Sequence, residues 1–138
     1  MDNIQIRETP IEDVWCMRQK VMYPGETIDF VKLENDDKGI HLGLYSDNIL
    51  VSVISVFEEG KEIQFRKFAT ETAMQGKGYG TRLLHYVMDW AIENGKKNIW
   101  CNARLSATGL YQKFGMQPTG ESWKKYGIDF IKMEKQLV

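Results

Sequence analysis

The sequence has few of the features that brace small secreted or metal-stabilised proteins. Its 138 residues include only two cysteines, Cys16 and Cys101, too few for a disulfide framework or a cysteine zinc site. No apolar run approaches the length of a membrane-spanning helix, and the first ten residues contain no apolar signal core. We therefore expect a cytoplasmic protein that binds no membrane and needs no metal ion.

A linker is also missing. The chain has three prolines, no internal repeat and no Ser-rich or low-complexity tract. Its length suits one domain, residues 1–138, because two domains would each fall below the usual size.

An excess of one charge is absent as well. Lys and Arg number 18, Asp and Glu number 19, and the net charge is −1, which argues against a general nucleic-acid binder. The total conceals a split, because residues 1–69 carry 8 basic and 13 acidic side chains (net −5) and residues 70–138 carry 10 basic and 6 acidic (net +4). Scattered surface charge explains this split, and so does a cleft with one wall for an anion and one for a cation.

What is present is a pattern of strands and helices. Alternating or apolar runs predict strands at residues 3–7, 40–45, 48–57, 62–70, 97–103, 123–126 and 129–137. A capping-box pattern at residues 9–12 predicts a helix that ends before Pro24. An apolar stripe predicts a second helix from the glycine-rich segment to Asn94, and Ser106 is a candidate cap for a third that ends near Gly115. This order predicts an α/β protein with a mixed sheet.

The glycine-rich segment between a strand and a helix is the first candidate site. It reads Gln75-Gly76-Lys77-Gly78-Tyr79-Gly80. Glycine lets the backbone approach a ligand closely, and a helix N-terminus offers free N–H groups and the positive end of the dipole. This combination favours phosphate binding. The dinucleotide fingerprint fails because Thr81 stands where it needs a glycine, and the nucleotide-triphosphate loop string is absent.

Residues 65–80 resemble motif A of the GNAT superfamily of acetyl-CoA-dependent N-acetyltransferases. The signature Gln/Arg-x-x-Gly-x-Gly/Ala is met by Gln75, Gly78 and Gly80. Residues 110–116 resemble the Tyr-x-x-x-Gly-Phe block that follows the next strand. Residues 126–133, residues 18–21 and His41 look like the ElaA-like subgroup, so the resemblance spans most of the chain.

The resemblance implies the GNAT fold, which is a mixed, mostly antiparallel central sheet that is splayed at the acetyl-CoA site and flanked by helices. It implies that the backbone of Phe68, Ala69 and Thr70 binds pantetheine, with an amide near Phe68 as oxyanion donor. It also implies that the loop holds the pyrophosphate, through Gln75, Gly76, Lys77, Gly78, Tyr79, Gly80 and Thr81.

Candidate catalytic groups follow from the same resemblance. Tyr111 matches the tyrosine that protonates the departing thiolate in many relatives, a role that suits a phenol protonated at neutral pH. Asn102 and Arg104 lie just after the strand, where relatives contact CoA, although Arg104 replaces the usual Asn. Glu62 is a candidate base, with Glu71 and His41 as alternatives, and a solvent-exposed carboxylate is the plainer interpretation of Glu62.

The resulting hypothesis is an N-acetyltransferase in which a primary amine of a small molecule or peptide attacks acetyl-CoA directly. A non-catalytic CoA-binding or regulatory module on the same fold, or a transferase of a longer acyl group, are the alternatives. The resemblance leaves the acceptor unidentified and makes a homodimer possible. Five acidic residues are expected near a cationic acceptor, namely Glu26, Asp29, Glu34, Asp36 and Asp37.

Overall fold

The structure, a computed structural model, describes residues 3–137. These residues form two compact units. Of the described residues, the first unit contains 3–57 and Lys67–Val87, and the second contains Glu58–Arg66 and 88–137. Within the described residues, no helix is long and apolar enough to cross a membrane.

The order of elements follows the predicted order, with short helical turns added. The strands are β1 (Ile4–Glu8), β2 (Ile40–Ser46), β3 (Ile49–Glu59), β4 (Glu62–Thr70), β5 (Asn98–Arg104), β6 (Gln117–Lys125) and β7 (Ile128–Gln136). The helices are α1 (Ile11–Met22), α2 (Ile28–Val31), α3 (Tyr79–Glu93) and α4 (Thr108–Gln112). Single 3-10 turns cover Asp36–Lys38, Thr72–Met74 and Leu105–Ala107.

The strands form a seven-stranded sheet in the order β1-β2-β3-β4-β5-β7-β6. In the first unit, β2 pairs antiparallel with both β1 and β3. In the second unit, β7 pairs antiparallel with both β5 and β6, whereas the start of β4 pairs parallel with β5. The sheet is therefore mixed, as predicted.

The stripe predicted for α3 is confirmed. Its five members are all buried, with at most 5% of any side chain exposed: Leu83, Leu84, Val87, Met88 and Ala91. Because residues three and four positions apart share a helix face, this spacing alone was sufficient to identify the core side of the helix.

Two local predictions about helix starts were wrong. Thr9 does not cap α1, because its hydroxyl contacts the hydroxyl of Tyr45 at 3.0 Å and donates to the carbonyl of Arg7. Pro10 occupies the cap position without a side-chain hydrogen bond. Ser106 lies in a 3-10 turn, and α4 begins only at Thr108 with Ala107 before it.

Two stretches hold more regular structure than the sequence indicated. The segment 25–39, for which the sequence analysis predicted no helix or strand, contains α2, which Thr27 caps by accepting a hydrogen bond from the amide of Phe30 at 3.3 Å. β6 begins at Gln117 rather than near Trp123. Almost every side chain of β6 is exposed, so it lacks the buried alternation from which a strand is recognised.

Candidate functional site

The start of β4 pairs parallel with β5 within the second unit. The register joins Glu62 to Asn98, Ile63 to Ile99 and Gln64 to Trp100. This parallel pair gives the otherwise antiparallel strands of the second unit their mixed pairing.

The loop after β4 has the backbone conformation that its glycines were expected to permit. Gly76 and Gly78 have φ values of 78° and 86°, in the left-handed region that L-residues with a side chain avoid. A Cβ at either position would meet no atom within 4 Å. The glycines are therefore needed for their backbone angles, and the space above the loop is open enough for a phosphate to approach the amides.

Gly80 is needed for a different reason. A Cβ there would lie 3.1 Å from the hydroxyl of Thr70 and 3.2 Å from the ring of Phe68. The first turn of α3 therefore rests directly on the end of β4. Gln75 adds a second tie, because its side-chain amide donates to the carbonyl of Thr70 at 3.0 Å.

The end of β4 is anchored from within the first unit. The hydroxyl of Ser52 in β3 donates to the carbonyl of Ala69 at 3.0 Å and contacts the hydroxyl of Thr70 at 2.9 Å. Ala69 is buried and packs in a cluster with Val14 and Val53. The backbone of the predicted pantetheine segment thus has a fixed position. Lys77 and Thr81, also predicted to bind CoA, are exposed, whereas Tyr79 is buried.

Lys67 is a residue that the sequence analysis missed. Its φ is 54°, left-handed in the middle of β4, whereas the other such non-glycine residues of the described chain lie in turns. A left-handed L-residue costs about 1–2 kcal/mol and persists when the surroundings hold it. Here the ammonium donates to the hydroxyl of Tyr23 and lies 4.7 Å from the centroid of that ring. Sequence spacing carries no signal for this backbone angle.

The acidic segment expected near the acceptor is partly neutralised. Asp36 is buried and accepts hydrogen bonds at 2.8 and 3.0 Å from Arg18, whose side chain is fully buried. Burial by itself would raise the pKa of Asp36, but hydrogen bonds from Arg18, the Leu33 amide and Trp15 lower it to about 2. Asp36 therefore offers no unpaired carboxylate to a cationic acceptor.

In the second unit, Tyr111 lies on α4 with its ring 5.6 Å from the ring of Phe65. Burial raises the pKa of Tyr111 well above its ordinary value, and the nearby Cys101 thiol raises it further. Burial also raises the pKa of Cys101 to about 12. Both groups keep their protons at neutral pH, so Tyr111 is able to donate one and Cys101 is a poor nucleophile.

Asn102 and Arg104 alternate along β5 with the buried Cys101 and Ala103. Because side chains alternate across a strand, the two polar residues share one exposed face. This arrangement leaves both available for a ligand.

Glu62 lies at the first residue of β4, and its carboxylate is exposed. It accepts a hydrogen bond from the side-chain amide of Asn98 at 3.0 Å. Phe68 follows six residues later, which at about 3.3 Å per residue corresponds to as much as about 20 Å along the strand. This separation is too long for direct proton transfer at an acyl group held by Phe68. Among the described residues, no group of three or more His, Cys, Asp or Glu side chains is arranged to hold a metal ion.

A mixed sheet in which a strand is followed by a left-handed glycine loop and a helix start agrees with the predicted acyl-CoA-dependent transferase fold. The model of the acetyltransferase (GNAT) domain matches residues 19–137, and the chain belongs to this family of acyltransferases. The predicted family and fold are thereby confirmed.

Named relatives agree with this assignment. The chain is 27% identical to an uncharacterized N-acetyltransferase, YitI of Bacillus subtilis, over 97% of both chains. Its fold is similar to a crystal structure described as that of a putative N-acetyltransferase from Lactobacillus plantarum, with a TM-score of 0.86, 22% identity and 99% of both chains covered. It is also similar to Escherichia coli ElaA, with a TM-score of 0.80, 16% identity, and 98% and 99% of the two chains covered.

One neighbour was solved with CoA. It is an acetyltransferase of Bacillus subtilis, with a TM-score of 0.75, 17% identity and all of both chains covered. CoA binding is thus a property of a protein with this fold.

Proposed function

We propose that this acyltransferase uses acetyl-CoA and transfers the acetyl group to a primary amine of a small molecule or peptide by direct attack. The observation that carries the proposal is the loop in which Gly76 and Gly78 adopt left-handed angles just before the start of α3. Amides freed by such a loop and by a helix N-terminus suit the pyrophosphate of CoA.

The remaining ligand contacts belong to the same proposal. The backbone of Phe68, Ala69 and Thr70 pairs with pantetheine, and an amide near Phe68 stabilises the oxyanion of the tetrahedral intermediate. The loop residues 75–81 bind the pyrophosphate, and the exposed side chains of Asn102 and Arg104 contact CoA. The left-handed angle at Lys67 supports the oxyanion role, because it turns the neighbouring peptide group away from a regular ladder.

Proton transfers complete the reaction. Tyr111 protonates the departing thiolate, a role open to a phenol because it carries its proton at neutral pH. Glu62 is the proposed base, and its position at the start of β4 requires proton transfer along a chain of several waters. The kcat/KM pH profile of Glu62→Gln tests this role, with Glu134→Gln as the matched control because Asn98 contacts both carboxylates.

Isothermal titration calorimetry with acetyl-CoA and with CoA tests the core of the proposal. We expect both to bind and a broad panel of primary amines to contain at least one that releases CoA thiol. Failure of both ligands to bind would refute acetyl-CoA as the cosubstrate. Binding without thiol release from any amine would favour a different acceptor class.

A further inference from the structure

The ammonium of Lys67 is a half-buried positive charge in the first unit, one residue before Phe68. Its contacts are the hydroxyl and the ring face of Tyr23, whose ring packs edge-on against Phe30 with centroids 5.2 Å apart. Neither contact carries a negative charge. Among the described residues, no carboxylate lies within ion-pair distance of Lys67.

Three acids of this unit are paired with other cations. Asp36 is held by the buried Arg18, Asp29 is 2.9 Å from Lys32, and Glu71 is 2.7 Å from Lys20. A charge that is partly removed from water is unfavourable unless it is paired. Lys67 is therefore a cation whose counter-ion is not supplied by these neighbours.

Lys67 and Tyr23 together have hydrogen-bond donors available to a ligand. An ammonium has three N–H donors, of which the Tyr23 oxygen takes one. Because that oxygen accepts from Lys67, the phenol hydrogen of Tyr23 is directed elsewhere and is available to donate. An ammonium beside a phenol O–H matches the two acceptor oxygens of a carboxylate.

We propose that Lys67 and Tyr23 bind a carboxylate on the acceptor, so that the acceptor is an amine that itself carries a carboxylate. This inference rests on the proposed function, because it takes Phe68 as the residue beside the acetyl carbonyl. Lys67 precedes Phe68 directly, so a carboxylate bound there belongs to the same molecule as the attacking amine. It replaces the expectation of an acidic surface that selects a purely cationic acceptor.

A purely structural role is the rival explanation. A tether between β4 and the end of α1 would affect stability and would treat all acceptors alike. Recognition of a carboxylate changes the ratio of the affinity for an acid to the affinity for its amide, so the test measures that ratio.

The test titrates the full chain, saturated with CoA, with product analogues in matched pairs: N-acetylglycine with N-acetylglycinamide, and N-acetylphenylalanine with its amide. We expect the acids to bind at least about tenfold more tightly than the amides, which corresponds to about 1.4 kcal/mol. Lys67→Met should abolish this preference, Lys67→Arg should retain most of it, and Tyr23→Phe should reduce it. Lys20→Met, which removes an exposed cation of the same unit, is the control and should leave it unchanged.

Each result bears on either the carboxylate site or the proposed function. Equal binding of acids and amides, no binding of either, or an acid preference that survives Lys67→Met overturns the carboxylate site. Thermal melting of each variant identifies any that is unfolded. If Lys67→Met is unfolded, Tyr23→Phe carries the comparison, and an undiminished acid preference in Tyr23→Phe overturns the site. If CoA itself fails to bind the wild-type chain, the proposed function fails. If CoA binds and the acids show no preference, only this inference fails.

Discussion

At the scale of single residues, the buried ion pair of Arg18 and Asp36 ties several elements of the first unit together. Arg18 donates to both oxygens of Asp36, to the carbonyl of Val31 at 3.0 Å and to the hydroxyl of Ser55 at 2.8 Å. His41 contacts the same Ser55 hydroxyl at 2.7 Å. One guanidinium thus joins α1, α2, the 3-10 turn and β3. It fixes the segment from which Phe30 reaches Tyr23.

Removing one partner of this pair should be costly. We expect Asp36→Asn to lower the free energy of unfolding by about 3 kcal/mol or more, because it leaves the Arg18 charge buried without its counter-ion. Urea unfolding followed by tryptophan fluorescence measures this loss. Asp29→Asn is the control, since its pair with Lys32 is exposed and should contribute less than about 1 kcal/mol. A loss of equal size in both variants would contradict the argument.

The same pair predicts a pH dependence. The pKa of Asp36 is about 2 in the folded chain, below its ordinary value of 3.8. The stabilisation from the ionised carboxylate is therefore complete above the ordinary value and is lost as the pH falls from about 4 toward 2. Unfolding free energies measured across this range should fall more steeply for the wild type than for Asp36→Asn. Parallel curves would show that other carboxylates control the acid transition.

Tyr111 carries a prediction about rate. General acid catalysis typically contributes about a hundredfold or more, so Tyr111→Phe should lower kcat by about that factor with little change in the KM for acetyl-CoA. Steady-state kinetics with any amine found in the panel measures both constants. Tyr86→Phe is the matched control, because Tyr86 is an exposed phenol on α3. An unchanged kcat in Tyr111→Phe would remove the acid role.

At the scale of elements, the junction of β4, the glycine loop and α3 combines two constraints. Gly76 and Gly78 satisfy a backbone angle, whereas Gly80 makes room for Phe68 and Thr70. The sequence placed all three glycines in one motif, but their separate reasons are visible only in the structure. The three glycines thus give the loop a defined conformation, and a loop held in this way loses less entropy when it binds a ligand.

Gly78→Ala tests the loop as an element. The substitution forces an L-residue toward φ near 86°, so the loop should rearrange and its amides should lose their alignment. We expect CoA affinity measured by calorimetry to fall at least about tenfold, which corresponds to about 1.4 kcal/mol.

Gly60→Ala is the matched control for backbone strain. Gly60 has φ of 59° and equally open surroundings, but it lies in the turn between β3 and β4. The CoA affinity of the Gly60→Ala variant should match that of the wild type. Equal losses in the two variants would mean that general strain, rather than the loop amides, reduces binding.

At the scale of the whole molecule, the two compact units are interleaved along the chain. β3, β4 and α3 each begin in one unit and end in the other, and the chain passes from unit to unit at residues 57–58, 66–67 and 87–88. Neither unit is a continuous segment. A single domain for residues 1–138 stays a prediction, which an unfolding experiment tests.

We accordingly expect one cooperative unfolding transition. Hydrogen exchange with mass spectrometry at increasing urea concentrations should give the same midpoint for peptides from β2 and from β7. α2 serves as the internal reference, because a four-residue helix should exchange by local opening at all concentrations. Distinct midpoints for β2 and β7 would show that the units unfold separately and would contradict the single-domain prediction.

The sequence by itself determined the order of the main elements, the buried stripe of α3 and the glycine loop. These features depend on neighbours within one or two turns of a helix or along one strand, so spacing and residue type suffice to predict them. The tertiary structure alone decided that Thr9 contacts Tyr45, that Asp36 is buried with Arg18 and that Lys67 contacts Tyr23. Those partners lie 36, 18 and 44 residues apart. Only the folded chain brings such distant polar groups together, and because they are partly removed from water there, they form hydrogen bonds with each other.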